Sequence, residues 1–140
     1  MNETMLEIHT YAGEGYKPLV DYGEWRVAML RFLEGLQPDR IDSMERHTQT
    51  DEVFVLLHGS GVLILGGRRA QVEGIYTQVM EQGFIYNVKR DTWHTIVLSR
   101  DASVLLVENR DTTTQNSEYT NLTPEYRRLM QIQLQHKPVS

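Results

Sequence analysis

The sequence predicts an all-β fold, an antiparallel sandwich or barrel with one short C-terminal helix, and three observations carry that reading. Short apolar runs rich in β-branched and aromatic residues recur about every eight to twelve residues. Gly, Pro, Asp and Asn punctuate the chain between them. A helix start of a different kind, Thr123-Pro124-Glu125, occurs near the end: a hydroxyl N-cap, proline in the first turn and an acid beside it.

Taken in order, residues 1–24 read as a loop with one short edge strand, because Thr10 to Tyr22 is rich in glycine, proline and tyrosine. Trp25 to Leu33 reads as a strand. Val27, Met29, Arg31 and Leu33 share one parity, and Ala28, Leu30 and Phe32 share the other. Both faces are thus largely apolar, as in a sheet packed on both sides, and helix is the competing assignment. Gly35 to Met44 reads as a loop. Val53–Leu57 and Val62–Leu65 flank Gly59-Ser60-Gly61, the punctuation of a hairpin. Gly66-Gly67 marks a further turn, and residues 70–80 hold one or two short strands broken near Gly74. Strands then follow at Phe84–Val88, Trp93–Leu98 and Ser103–Glu108, with turns at Lys89–Thr92 and Ser99–Asp101. Asp111 to Asn121 reads as a surface loop. The helix is expected from Thr123 to about Leu134, with Leu129, Ile132 and Met130 as its apolar stripe.

At 140 residues the chain has the length of one domain. Hydrophobic residues make up 40% and charged residues 24%, ordinary for a soluble globular protein. A net charge of -5 argues against nucleic acid as a partner, since phosphate binding requires clustered Lys and Arg. There are no cysteines, which excludes disulfides, thiolate metal sites and a cysteine nucleophile. No signal-like N-terminus and no membrane-length apolar stretch is present, so a cytoplasmic location is expected. Gly59-Ser60-Gly61 lacks the Gly-x-Ser-x-Gly spacing of a nucleophile elbow, and Gly66-Gly67 is not a phosphate loop.

The chemistry gathers in two segments. Glu45 and His47 are two apart, so on a strand they point to the same side. His47 and Glu52 are five apart, and the polar Thr48-Gln49-Thr50-Asp51 insertion can bend the chain and bring them back together. Glu52 shares parity with Phe54 and Leu56; His94 shares parity with Ile96 and Leu98. A carboxylate and two imidazoles converging from neighbouring strands make a facial set with open positions, suited to Fe, Mn, Ni, Zn or Cu. The alternative is a metal-free cluster whose members satisfy one another by hydrogen bonds. Arg31, a charge on a central strand, is expected to pair with a carboxylate or to meet an anionic ligand.

The chain resembles the cupins on two motifs. The first, His-x-His, three or four residues, Glu, six residues, Gly, is matched by Glu45-x-His47, Glu52 and Gly59, with Glu45 in place of the first histidine. The second, Gly, five residues, Pro-x-Gly, two residues, His, three residues, Asn, is matched in spacing by Gly83, Lys89-x-Asp91, His94 and Leu98, where the Pro, the inner Gly and the Asn are replaced. The resemblance spans roughly residues 40–110. It implies a double-stranded β-helix, the cupin jelly-roll barrel, as a single domain over residues 1–140 with its core at about 25–110 and a C-terminal loop and helix at 111–140.

The resemblance further implies a pocket inside the barrel and metal-ligand positions at Glu45, His47, Glu52 and His94, with Glu52 the best candidate acid–base. Arg31, Gln49 and Tyr86 are expected at the substrate pocket from their own character, Gln49 as part of a His-x-Gln pair that the family spacing places in the turn. A small-molecule ligand, a homodimer and no organic cofactor are expected. A metal-dependent activity of the isomerase or dioxygenase kind and a non-catalytic metabolite-binding module both remain open.

Overall fold

The computed structural model describes residues 5–139. Among the described residues ten strands form two five-stranded sheets, and every pairing is antiparallel. The strands are β1 Tyr16–Tyr22, β2 Trp25–Arg31, β3 Ser43–His47, β4 Glu52–His58, β5 Gly61–Leu65, β6 Tyr76–Val79, β7 Ile85–Val88, β8 His94–Leu98, β9 Ser103–Asn109 and β10 Ser117–Asn121. The first sheet runs β1-β2-β9-β4-β7 and the second β10-β3-β8-β5-β6. One helix, α1 Pro124–Leu134, follows β10.

Two cores explain why so few strands alternate cleanly. Between the sheets lie Ala28, Leu30, Phe54, Leu56, Leu63, Ile96, Leu98, Val104 and Leu106. Behind the second sheet, Met44, Val62, Ile64, Trp93 and Val97 pack with Met130 and Leu134 of α1. β5 is therefore buried on both faces and reads as an unbroken apolar run. α1 seats Met130 and Leu134, spaced i, i+4, against the sheet, and each fully buried side chain of this size contributes about 1.5–3 kcal/mol. The expected stripe of Leu129 and Ile132 is corrected: these are 38% and 54% exposed, and the helix turns the Met130/Leu134 face inward. Thr123 caps the helix by accepting from the Tyr126 N–H, as its sequence signature predicts.

Three further expectations change. Gly59-Ser60-Gly61 is not a hairpin turn, because β4 pairs with β9 and β7 whereas β5 pairs with β8 and β6. The turn carries the chain from one sheet to the other. A Cβ at Gly59 (φ 75°) would sit 2.7 Å from the Ala102 Cα, so the crossing demands glycine. Residues 117–121, expected in a loop, form β10 along β3, since a strand at a sheet edge needs backbone partners more than apolar side chains. Residues 16–22 form a full seven-residue edge strand on β2.

Candidate metal centre

The facing surfaces of the two sheets enclose a cavity of about 500 Å³. Period-two alternation sends Ser43, Glu45 and His47 of β3, His94 and Ile96 of β8, Glu52 and Phe54 of β4, and Leu106 and Glu108 of β9 toward it. His47 and Glu52, five apart in sequence, stand on opposite sheets and face one another. The turn at 89–92 ties the two motifs together: Asp91 N–H donates to the His47 carbonyl at 2.8 Å. Asp91 holds φ 66°, a left-handed conformation that asparagine and aspartate tolerate better than most residues, at the motif's inner-glycine position.

The imidazoles are oriented from behind. His94 Nδ1 lies 2.9 Å from the Thr92 carbonyl, which only accepts, so Nδ1 carries the proton. Ser117 donates its hydroxyl proton to the Thr113 carbonyl at 2.7 Å, so the 2.8 Å contact between His47 Nδ1 and Ser117 Oγ has the histidine as donor. These tautomers follow from the hydrogen-bond network. Both Nε2 atoms then point at the same oxygen, Glu52 Oε1, each at 3.2 Å. The ring centroids are 5.4 Å apart. Glu45 Oε1 stands 4.0 Å from His47 Nε2, with its side chain 39% exposed at the mouth.

Two lone pairs aimed at one carboxylate oxygen repel it. The arrangement is satisfied by a cation held among the groups or by a second proton on the rings. Glu45, His47 and His94 each offer a ligand atom within 4.8 Å of the others, and so do His47, Glu52 and Glu108. Histidine Nδ1–H groups anchored to oxygen acceptors are the outer-shell arrangement that metal-binding imidazoles use. The donor set therefore fits a divalent transition metal.

Charge is distributed unevenly among the acids. Burial alone would raise the Glu52 carboxyl, but when the rings carry their second proton, hydrogen bonds from His47 and His94 and the charge of His94 hold it well below the usual carboxylate range. Glu108 goes the other way: burial, then its hydrogen bond to Glu52 and the charge there, push it up to about 7. Two carboxylates about 4 Å apart repel by about 4 kcal/mol at an effective dielectric of about 20, so one of the pair takes a proton. Tyr16 of β1 caps Glu108 with an O–H···Oε1 bond of 2.5 Å, and burial with that neighbouring acid raises the phenol. Burial works to lower both histidines, yet the hydrogen bond and charge of Glu52 outweigh it and both are raised.

Glu45, His47, Glu52 and His94 thus come together. Arg31, Gln49 and Tyr86 do not line this cavity. Arg31 lies on the outward parity of β2 and donates to the Gly13 carbonyl at 3.1 Å and to Ser103 Oγ at 2.9 Å, while its charge also acts on the Asp101 carboxylate. Gln49 sits in the β3–β4 turn, where its backbone carbonyl accepts from Asn109. Tyr86 lines a separate cleft and accepts from the Glu81 N–H at 2.8 Å. Glu108, Tyr16 and Ser117 are the residues sequence reasoning missed. Glu108 had a signal: it shares parity with Val104 and Leu106, a charge on the buried face of a strand. Ser117 had none, because its strand was taken for a loop.

The fold is the cupin jelly roll. No family model matches the chain, and no curated protein matches it in sequence. Among solved structures, a variant of the Streptomyces protein PAC13 with uridine superposes with a TM-score of 0.55 at 11% identity, over 86% of this chain and 96% of that one. KdgF from Halomonas sp. gives 0.52 at 14% identity, over 69% and 80%. The Fe(II) form of HppE gives 0.50 at 14% identity, over 67% of this chain and 48% of that one. At these identities the likeness is one of fold. Among the described residues no helix is long and apolar enough to cross a membrane.

Proposed function

We propose that the chain is a cupin-fold protein that holds a divalent transition metal, Fe, Mn, Ni or Zn, among Glu45, His47, Glu52 and His94, and takes a small molecule into the cavity beside it. One observation carries the reading: both Nδ1 atoms are fixed as donors to protein oxygens, which leaves both Nε2 lone pairs converging on Glu52 Oε1. The named neighbours support it by analogy of fold, one with Fe(II) and one with uridine.

A metal held there would supply Lewis acidity to a bound oxygen. The pKa directions favour Glu108, near neutrality, over Glu52 as the group that gives or takes a proton, since Glu52 is held ionised by the imidazoles. Tyr16 would position Glu108 through its hydrogen bond. The same reading treats the chain as one cytoplasmic cupin domain. It also expects a homodimer through an edge strand such as β1 or β7, which light scattering at micromolar concentration tests.

A metal-free binding module is the second reading. It is supported by the raised histidines, because two imidazolium rings would also satisfy Glu52. Elemental analysis of untagged protein separates the two: about one equivalent of metal is expected, and less than about a tenth after incubation with Fe, Mn, Ni and Zn refutes the metal reading.

A further inference from the structure

The residues lining the cavity include three carboxylates, Glu45, Glu52 and Glu108, and neither a lysine nor an arginine. The nearby arginines each hold other partners. Arg46, next to two of the candidate ligands in sequence, turns outward to lie 4.3 Å over the Trp93 ring and donates to the Arg69 carbonyl at 2.8 Å. Arg26, opposite Glu108 in the β2–β9 register, binds Asp21 at 2.9 Å and reaches the cavity only through the Tyr16 hydroxyl. Arg31 binds Gly13 and Ser103.

We infer that this cavity selects uncharged ligands, ring-sized and bearing hydroxyl or amide groups, and rejects carboxylates and phosphates. The inference deepens the function proposed above and takes the site's location from it. An anion entering the cavity meets no lysine or arginine, and the imidazoles there, even when charged, already face Glu52 at 3.2 Å and Glu45 at 4.0 Å, so a further negative charge finds no unmatched cation in a partly desolvated space. Were a divalent metal bound, Glu45 and Glu52 would already balance its two charges, so an anion would add an uncompensated one. The wall opposite the acids is apolar, formed by Leu30, Phe54 and Leu106, and suits a ring face. Ser43 lines the cavity with no hydrogen-bond partner for its hydroxyl among the described residues, and it offers a donor to a neutral oxygen. About 500 Å³ is within the range of small-molecule sites.

The test uses ring fragments in matched sets of amide, carboxylate and amine, titrated into the full chain with and without added Zn. Binding is read by NMR and assigned to the cavity by the amide shifts of Ile96, Leu106 and Thr113. Amides are expected to bind at least about 10-fold more tightly than the matched carboxylates. Tyr119, 56% exposed and opposite Glu45 on β10, lines the mouth, so Tyr119→Arg is tolerated by the fold and is expected to shrink that gap by improving carboxylate binding. Carboxylates equal to or tighter than amides, amines dominating both, or no cavity binding by any fragment each overturn the inference. Metal content of the same samples is scored separately. Amide preference without metal sinks only the metal reading, and metal with carboxylate preference sinks only the ligand class.

Discussion

Two hollows of similar size open from the same barrel, about 500 Å³ beside His47 and His94 and about 410 Å³ along β5, β6 and β7. Their linings are opposite in charge. The first carries Glu45, Glu52 and Glu108 with no Lys or Arg; the second carries Arg68 and Lys89 with no Asp or Glu. The difference that matters is convergence more than sign. In the first hollow, side chains from β3, β4, β8 and β9 bring donor atoms into two overlapping groups that share His47, because two facing sheets contribute inward parities. In the second, the polar groups come from a sheet margin and the turns beside it. Size alone therefore does not mark a site; inward-facing titratable groups held from behind do.

The comparison breaks most visibly if the first hollow does not need its imidazoles. His47→Ala or His94→Ala is expected to abolish metal uptake, a loss of well over about 100-fold in affinity, read by competition with a chromogenic chelator. Retained uptake in both variants would falsify the metal assignment. Ser117→Ala removes only the acceptor behind His47 and is expected to weaken metal binding by about 10-fold while the fold stays intact by circular dichroism.

Acidity sharpens the contrast next. Glu108 has a folded pKa of about 7, above its unfolded value of 4.5, so it binds more protons folded than unfolded across that interval. Its contribution is present at low pH and is lost as pH rises between about 4.5 and 7. His47 and His94 are also raised, so they act in the same direction, contributing below an unfolded pKa of about 6.5 and losing that contribution as pH rises through their folded values. Glu52 is depressed and opposes them only in acid, where stability is lost as pH falls below the ordinary carboxylate range. Metal-free protein should therefore melt at a lower temperature at pH 8 than at pH 6. Glu108→Gln should flatten that slope, and an unchanged slope in this variant would remove Glu108 from the account.

The smallest effect belongs to the other hollow. Arg68→Ala combined with Lys89→Ala is expected to leave metal affinity unchanged within error in the same chelator assay, as distant sites with no shared partner act independently. A large drop would mean that the two hollows are coupled and that the contrast drawn between them is wrong.

Much of the centre was legible along the chain. Glu45 and His47 share a side because strands alternate, and Phe54 and Ile96 mark the inward parity of Glu52 and His94. Glu108 was legible by the same rule and was overlooked. Arg31 misled because both parities of its strand are apolar, so pattern alone could not say which one faces in. Tyr86 does turn inward, but beside the other hollow.

The amino-acid sequence by itself determined the central strands, where the chain turns, where the helix begins and which side chains of a strand share a face, since these depend on backbone sterics and on a periodicity of two. Tertiary structure alone decided that β4 and β5 join different sheets, that β10 lies along β3 and that Glu108 meets Glu52. Those are pairings between segments far apart in the chain. Their geometry is set by packing two sheets face to face, which no local pattern encodes.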